Sequence, residues 1–191
     1  MAVLVEDDSG LHLHDEQEIQ DFLCTTGIVL EHRGIPDHLK EILKNQELTD
    51  SDRDEILSEL DDWFFEIKEK YGFHSRDLVV LHPSLRGLSK ISDAFREFHF
   101  HTDNEVRYIL DGSGIFGIHV GEKRFRVFVS SGDFILVPKK VAHYFTLDEN
   151  RRIKAVRYFQ ETAGWAAHFM GNRKETYIRD KIASRSAFVV P

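Results

Sequence analysis

The chain has 191 residues, a length typical of one domain. Its net charge of −8, from 33 acidic residues against 25 lysines and arginines, disfavours binding to nucleic acid or to anionic membranes. No apolar run approaches the ~18 residues of a membrane span, and the acidic amino terminus lacks the basic region of a secretory signal. The single cysteine, Cys24, excludes an intrachain disulfide and fits a reducing compartment. We therefore expect a cytoplasmic protein whose partners include neither nucleic acid nor a membrane.

The first half of the chain alternates between strand and helix patterns. Apolar spacing predicts, in order, a strand at residues 2–5, a helix from residue 15 to about 27, a strand at 28–30 and a short helix at 38–44. Thr49 and Asp52 then resemble a capping box, and one apolar stripe behind them predicts a single helix that ends at Gly72. A buried strand over residues 78–81 follows.

The second half changes to short strands separated by glycine-containing turns. Strands are predicted at residues 106–110, 115–120, 125–129, 134–137, 144–146 and 153–159, with a turn at 111–114 between the first two. This regular spacing favours an antiparallel sandwich or barrel. The segment beyond Gly171 is charged and has no assignable pattern.

Four side chains in the second half have metal-binding chemistry. His99 and His101 are two residues apart, so on a strand both side chains point to one face, and Glu105 has the same parity. His143 follows a Pro-containing turn further along the chain. Three imidazoles and one carboxylate suit Fe(II), Ni(II), Mn(II), Co(II) or Zn(II).

A second segment has the same spacing near the amino terminus. His12, His14 and Glu18 repeat the pattern of the first three candidate ligands. However, Asp15 leads into a predicted helix, so the strand parity does not hold, and no later histidine motif accompanies the segment. We interpret it as a solvated turn and helix start.

The histidine segment resembles a known family. His99, His101 and Glu105 with Gly112 resemble the first cupin motif, and Gly132, Pro138 and His143 resemble the second. The sequence segments around these motifs resemble those of the acireductone dioxygenase family. They are EVRYILDGSG at 105–114, HYFT at 143–146 and KAVR at 154–157, with Trp165. The match is continuous over about residues 95–168.

The resemblance implies a fold that is mainly β. The expected architecture is a cupin double-stranded β-helix barrel with flanking N-terminal helices. All 191 residues would form one cupin domain, with an N-terminal α/β portion at about 1–94, the barrel core at about 95–170 and a charged tail at 171–191.

The resemblance also implies an enzyme with a defined site. Its metal, Fe(II) or Ni(II) at one per chain with Co or Mn as substitutes, would be held by His99, His101, Glu105 and His143. Arg107 would have a catalytic role in helping to form the substrate dianion. The substrate pocket would be lined by Phe95, Phe145, Arg157 and Trp165.

The reaction implied is the O2-dependent cleavage of an acireductone, 1,2-dihydroxy-5-(methylthio)pent-1-en-3-one, in methionine salvage. The iron form would give 4-methylthio-2-oxobutanoate and formate, and the nickel form 3-methylthiopropanoate, formate and CO. The partners would be this small molecule and O2, and the protein would be a monomer.

Three positions depart from the family pattern. Phe98 stands where the residue before the first ligand is usually acidic, Asn104 replaces an Asp, and Lys140 occupies the place of a glycine. Groups behind the ligands set their basicity and orientation, so we expect Phe98 and Asn104 to affect this outer layer of the site.

Other interpretations of the same residues stay open. A cupin isomerase or decarboxylase would use the metal without oxygen, and a non-catalytic cupin would only bind a metal or a small ligand. Arg107 could form a surface ion pair, and Arg157 could be a structural salt-bridge partner.

Overall fold

The structure is a computed structural model that describes residues 1–160 and 166–170. Its elements in chain order are β1 (Val3–Glu6), β2 (His12–Leu13), α1 (Glu16–Leu23), β3 (Val29–His32), α2 (Asp37–Leu43), α3 (Asp50–Ser58), α4 (Asp61–Tyr71), β4 (Ser75–Leu81), α5 (Leu88–Phe95), β5 (His99–Phe100), β6 (Glu105–Val120), β7 (Lys123–Ser130), β8 (Asp133–Val137), β9 (Ala142–Leu147), β10 (Ile153–Phe159) and β11 (His168–Phe169).

The strands form two antiparallel sheets that share the long strand β6. Its first half pairs with β8 and β10, which gives one sheet in the order β3-β8-β6-β10-β4. Its second half pairs with β7 and β9, which gives the other sheet in the order β2-β1-β7-β6-β9-β5-β11. Four strands from the first 94 residues therefore belong to these sheets, together with the strands of the second half.

The turn predicted at residues 111–114 is wrong, because β6 runs through it without a break. Gly112 has φ 79°, and a Cβ there would lie 2.1 Å from the carbonyl oxygen of Arg152. The register with β10 also shifts between Lys154 and Ala155, where β6 contributes one extra residue. The glycine thus marks a bend that carries one strand from the first sheet into the second.

Side-chain alternation along β6 and β10 separates two apolar cores. Val106, Tyr108 and Val156 pack outward against the helices, whereas Ile109 and Ala155 point inward between the two sheets. Arg107 and Arg157 have the inward parity of Ile109 and Ala155, so two cations face the interior of the barrel.

The helical layer covers the outer face of the first sheet. The single helix predicted from Thr49 to Gly72 is wrong, because the chain breaks at Leu60 into α3 and α4. The Arg76 guanidinium donates to the carbonyls of Leu57, at 2.7 Å, and Leu60, at 2.9 Å, which satisfies acceptors at the break. The capping box of Thr49 is confirmed.

A buried lysine ties this layer to the sheet. Lys154 donates from Nζ to the carbonyl of Leu43 at the end of α2, at 2.8 Å, and to Asp111 Oδ2, at 2.7 Å. Among the described residues, no helix is long and apolar enough to cross a membrane.

Candidate metal centre and adjoining cavity

Four side chains converge between the two sheets. His99 on β5 is the cross-strand neighbour of His143 on β9, His101 follows β5, and Glu105 begins β6. All four are buried, and one ligand atom from each lies within 4.8 Å of the others. Within residues 1–160 and 166–170, this is the one cluster of its kind. The structure thus brings together the four side chains that the sequence singled out.

Backbone carbonyls orient the three imidazoles. Each ring places its Nδ1 within hydrogen-bond distance of a carbonyl oxygen: His99 at 2.8 Å from Glu97, His101 at 3.1 Å from Ala166, and His143 at 2.9 Å from Val141. A carbonyl can only accept, so Nδ1 carries the hydrogen of the neutral ring and Nε2 has the lone pair. All three Nε2 atoms are therefore available as ligands.

The donor set fits a cation. Glu105 Oε2 lies 2.9 Å from His101 Nε2 and 3.0 Å from His143 Nε2. These donor atoms converge on one point, where a cation would offset the charge of the carboxylate. Three imidazole nitrogens and one carboxylate form a set suited to divalent transition metals, so the residues present fit a metal ion.

The environment keeps His99 and Glu105 in their metal-binding protonation states. Burial and the neighbouring His143 lower the pKa of His99 to about 4, so this ring is neutral at pH 7. Burial would raise the pKa of Glu105, but Arg107 and His143 outweigh it and hold that pKa well below its usual range. Glu105 is therefore an anion beside the neutral ring of His99.

The sequence profile of one protein family matches most of the chain. The ARD/ARD′ family profile covers residues 19–167. The chain belongs to the ARD/ARD′ family. An acireductone dioxygenase of Leptospira interrogans serogroup Icterohaemorrhagiae serovar copenhageni is 41% identical over 170 residues, which span 89% of this chain and 96% of that protein. An acireductone dioxygenase of Bacillus pumilus is 36% identical over 165 residues, covering 86% of this chain and 94% of that one.

A solved structure of an ARD/ARD′ relative supports the same assignment. Acireductone dioxygenase from Bacillus anthracis, with a cadmium ion in its active centre, is 32% identical and superposes with a TM-score of 0.82. The match covers 88% of this chain and 98% of that chain. The expected cupin barrel with N-terminal helices is thus confirmed, and the family is one of metal-dependent dioxygenases.

A cavity of about 600 Å³, open to solvent, adjoins the metal centre of this ARD/ARD′ chain. Glu105 and Arg107 lie at its polar end, and the rest of its wall is mostly apolar: Val79, Leu81, Ile91, Phe95, Ile109, Phe145, Ile153 and Ala155, with Arg157. A pocket of this character suits a small molecule with one charged and one apolar end.

Arg107 lies inside the site and not on the surface. Its Nη2 is 3.0 Å from Glu105 Oε1, and its side chain is 14% exposed. Burial lowers the pKa of Arg107 to about 10, so the guanidinium stays charged at neutral pH. The alternative of a surface ion pair is therefore wrong for Arg107.

The structure places three of the four residues that were expected to line the substrate pocket. Phe95, Phe145 and Arg157 line the cavity, whereas Trp165 lies outside the described residues. Arg157 is at once a cavity residue and a salt-bridge partner, since it binds Asp77 on β4. Sequence reasoning missed Asp77 and the aliphatic wall, although a lone carboxylate in the apolar strand RDLVVL was a usable signal for Asp77.

The three positions that were expected to depart from the family pattern lie near the site and make local contacts. Asn104 accepts a hydrogen bond at Oδ1 from the Lys139 N–H, at 2.9 Å. Lys140 has φ 66°, the left-handed conformation that favours glycine, and its N–H donates to the carbonyl of His101 at 2.8 Å. Phe98 is 39% exposed and packs edge-on against Tyr144.

The look-alike segment near the amino terminus forms no such cluster. His12 belongs to β2, and Asp15 caps α1 by accepting hydrogen bonds from the N–H groups of Gln17 and Glu18. The predicted helix start is confirmed, and it separates Glu18 from the two histidines.

Proposed function

We propose that this protein is an acireductone dioxygenase. The observation that carries the proposal is a buried cluster of three histidines and one glutamate at the charged end of a cavity whose far wall is apolar. Membership of the ARD/ARD′ family supports it. The substrate is 1,2-dihydroxy-5-(methylthio)pent-1-en-3-one, which has an acidic enediol at one end and a methylthio group at the other.

The metal is one Fe(II) or Ni(II) ion per chain, held by the Nε2 atoms of His99, His101 and His143 and by Glu105. When bound, such an ion supplies Lewis-acid chemistry that favours the ionised enediol. Because the three imidazoles are neutral and the carboxylate is charged, the ligand set leaves a divalent ion with one net positive charge. An anionic substrate then neutralises charge on binding.

Arg107 holds the ionised enediol. Its guanidinium faces the cavity and is fixed at one edge by Glu105 Oε1. Charge-assisted hydrogen bonds from a guanidinium that stays protonated stabilise the dianion more than the neutral enediol, which favours loss of the second proton. Arg107 thus contributes to catalysis by stabilising charge that the reaction requires.

The apolar wall positions the methylthio end. Phe145 and Phe95 lie on the cavity side with Ile91 and Leu81, and these side chains exclude water around the thioether. The two ends of the substrate are recognised by different chemistry, so its orientation is fixed.

The reaction consumes O2 and cleaves the substrate as a step of methionine salvage. The enzyme acts in the cytoplasm as a monomer. The iron form yields 4-methylthio-2-oxobutanoate and formate. The nickel form yields 3-methylthiopropanoate, formate and CO. One ligand set serves both forms, so the loaded ion selects the products.

The test uses metal-free protein reconstituted separately with Fe(II) and with Ni(II). Each form is mixed with the acireductone without oxygen, oxygen is then admitted, and the products are identified. Formate from both forms and CO from the nickel form alone are expected. Loss of substrate at only its uncatalysed rate would overturn the proposal. Turnover before oxygen is admitted would indicate an isomerase or decarboxylase instead.

A further inference from the structure

A row of four charged side chains crosses three strands at the polar end of the cavity. Asp77 on β4 is the register partner of Arg157 on β10, and Arg157 is in turn the register partner of Arg107 on β6. Glu105, two residues before Arg107, completes the row. Two guanidiniums therefore lie side by side, with a carboxylate at each end.

The contact between Asp77 and Arg157 is a fork. Arg157 Nε donates to Asp77 Oδ1 at 2.6 Å, and Arg157 Nη2 donates to Asp77 Oδ2. Both residues are at most 9% exposed. A bidentate contact fixes the plane of a guanidinium as well as its position, which a single hydrogen bond does not.

The two members of the fork have different access to the cavity. Arg157 lines it, together with Arg107 and Glu105, whereas Asp77 lies behind Arg157 and is absent from the lining. Asp77 therefore does not contact a molecule bound in the cavity, whereas the guanidinium that it holds can.

We propose that Asp77 is a positioning residue, which aims the Arg157 guanidinium at the substrate enediolate as a second cation beside Arg107. This inference rests on the proposed function. Two guanidiniums side by side repel each other, and an anion in the cavity relieves that repulsion. Asp77 holds Arg157 in place against this repulsion before the substrate arrives, so less ordering is needed on binding.

A simple charge effect predicts the opposite outcome from a positioning effect. Removing the Asp77 charge makes the site more positive, so a charge effect alone would strengthen binding of an anion. Positioning predicts weaker binding, because a guanidinium released from its fork loses the geometry of its charge-assisted hydrogen bonds. Asp77→Asn keeps the shape of the side chain and removes its charge. A charge effect would lower the Kd for the substrate, whereas a positioning effect would raise it.

The measurement is the anaerobic Kd of nickel-loaded protein for the acireductone, with KM, kcat and metal content alongside. Asp77→Asn and Arg157→Gln should each raise Kd and KM about tenfold, while metal content stays that of the wild type. The double variant should bind no more weakly than Arg157→Gln alone, because Asp77 acts through Arg157. Asp111→Asn is the matched control, since it breaks a carboxylate–lysine pair outside the cavity, and its Kd should equal that of the wild type.

Three results would overturn the inference: an unchanged or lower Kd for Asp77→Asn, effects that multiply in the double variant, or an equal rise in Kd for Asp111→Asn.

If Asp77→Asn does not fold, Arg157→Lys takes its place, because it keeps a cation beside Asp77 but loses the fork. A wild-type Kd in Arg157→Lys then overturns the inference. Wild-type protein that neither binds nor consumes the acireductone overturns the proposed function itself, which separates the two failures.

Discussion

The two carboxylate oxygens of Glu105 have different contacts. Oε2 lies among the imidazole nitrogens, and Oε1 accepts from Arg107. One carboxylate therefore joins the metal centre to the cation that faces the substrate. Loss of the Glu105 charge should affect both the binding of metal and the position of Arg107. The effect on metal binding should be the larger, because a ligand is removed.

We predict that Glu105→Gln loses most of its bound metal. The amide keeps the shape of the side chain but lacks the negative charge, so affinity should fall by at least about 100-fold. Elemental analysis after dialysis against a weak chelator measures this loss. Glu18→Gln and His14→Ala in the look-alike segment are the controls and should keep the wild-type metal content. Equal loss in the controls would contradict the assignment of the site.

Arg107→Gln should bind metal normally but turn over slowly. The variant removes a charged donor that acts on the developing dianion, so we expect kcat/KM to fall about 100-fold, mainly through kcat. Steady-state kinetics on metal-loaded protein measure the effect. Arg152→Gln, which removes a half-exposed arginine paired with Asp111, should keep wild-type kinetics. A rise in KM with kcat unaltered would show that Arg107 contributes to substrate binding alone.

The sequence singled out the clustered side chains because part of their signal is local. His99, His101 and Glu105 fall within seven consecutive residues, although a loop between β5 and β6 interrupts the strand parity that was expected to place them on one face. Asp77 could not be found in the same way. It meets Arg157 across two strands that lie 80 residues apart in the chain, and their pairing depends on a register that no local pattern specifies.

At the scale of single elements, β6 determines where the site lies. Its first half carries Glu105 and Arg107 in one sheet, and its second half pairs with β9, which carries His143, in the other. The bend at Gly112 makes both arrangements possible within one strand. A sequence pattern that contains Asp-Gly-Ser-Gly also fits a tight turn, which is why the local prediction was wrong.

Gly112→Ala should destabilise the fold more than Gly121→Ala. Both glycines have positive φ, 79° and 61°, so each alanine carries the left-handed strain of about 1–2 kcal/mol. Only at Gly112 would the new Cβ meet backbone, at 2.1 Å from Arg152 O, whereas nothing lies within 4 Å at Gly121. Urea unfolding should show an extra loss of at least about 1 kcal/mol for Gly112→Ala. Equal losses would contradict the contact.

The helices illustrate a second limit of sequence reasoning. The apolar stripe from Ile56 to Ile67 fits one helix, whereas the carbonyls at the break accept hydrogen bonds from Arg76 of the neighbouring strand β4. Helix α5 was missed because no side chain caps its start, which follows Gly87 at φ 90°. Both features depend on tertiary contacts or on backbone conformation.

Tyr158 on β10 makes the contact between sheet and helices sensitive to alkali. Its ring packs against Trp63 and Phe64 of α4, and among the described residues its hydroxyl has no hydrogen-bond partner. Burial raises the pKa of Tyr158 above that of the unfolded chain. The unfolded state therefore ionises first above about pH 10, and this part of the stability is lost as pH rises.

Tyr158→Phe should therefore be as stable as the wild type at pH 7 and more stable above pH 10. The phenylalanine keeps the ring contacts and has no hydroxyl to bury or ionise. Urea unfolding of both proteins at pH 7 and pH 10.5 measures the difference. A variant that loses stability in parallel with the wild type between these two values would contradict the role of the buried hydroxyl.

At the scale of the whole molecule, the metal centre connects parts of the chain that are distant in sequence. Its ligands come from β5, the segment after it, β6 and β9, and the carbonyl of Ala166 orients His101 from beyond β10. Binding of a divalent ion to these four side chains should therefore stabilise the folded state by linking these strands.

Removal of the metal should lower the melting temperature of the wild type. At free metal concentrations 100 to 1,000 times Kd, binding to the folded state alone contributes roughly 3–4 kcal/mol, or about 10 °C in Tm for a chain of this size. Calorimetry of dialysed protein, with nickel added and with a chelator added, measures the shift. Glu105→Gln is the control, because its weaker affinity should reduce the response of its Tm to either addition well below that of the wild type. A wild-type Tm that is equal in both conditions would show that the cluster does not bind the ion in the folded protein, whereas equal shifts in both proteins would place the stabilising ion elsewhere.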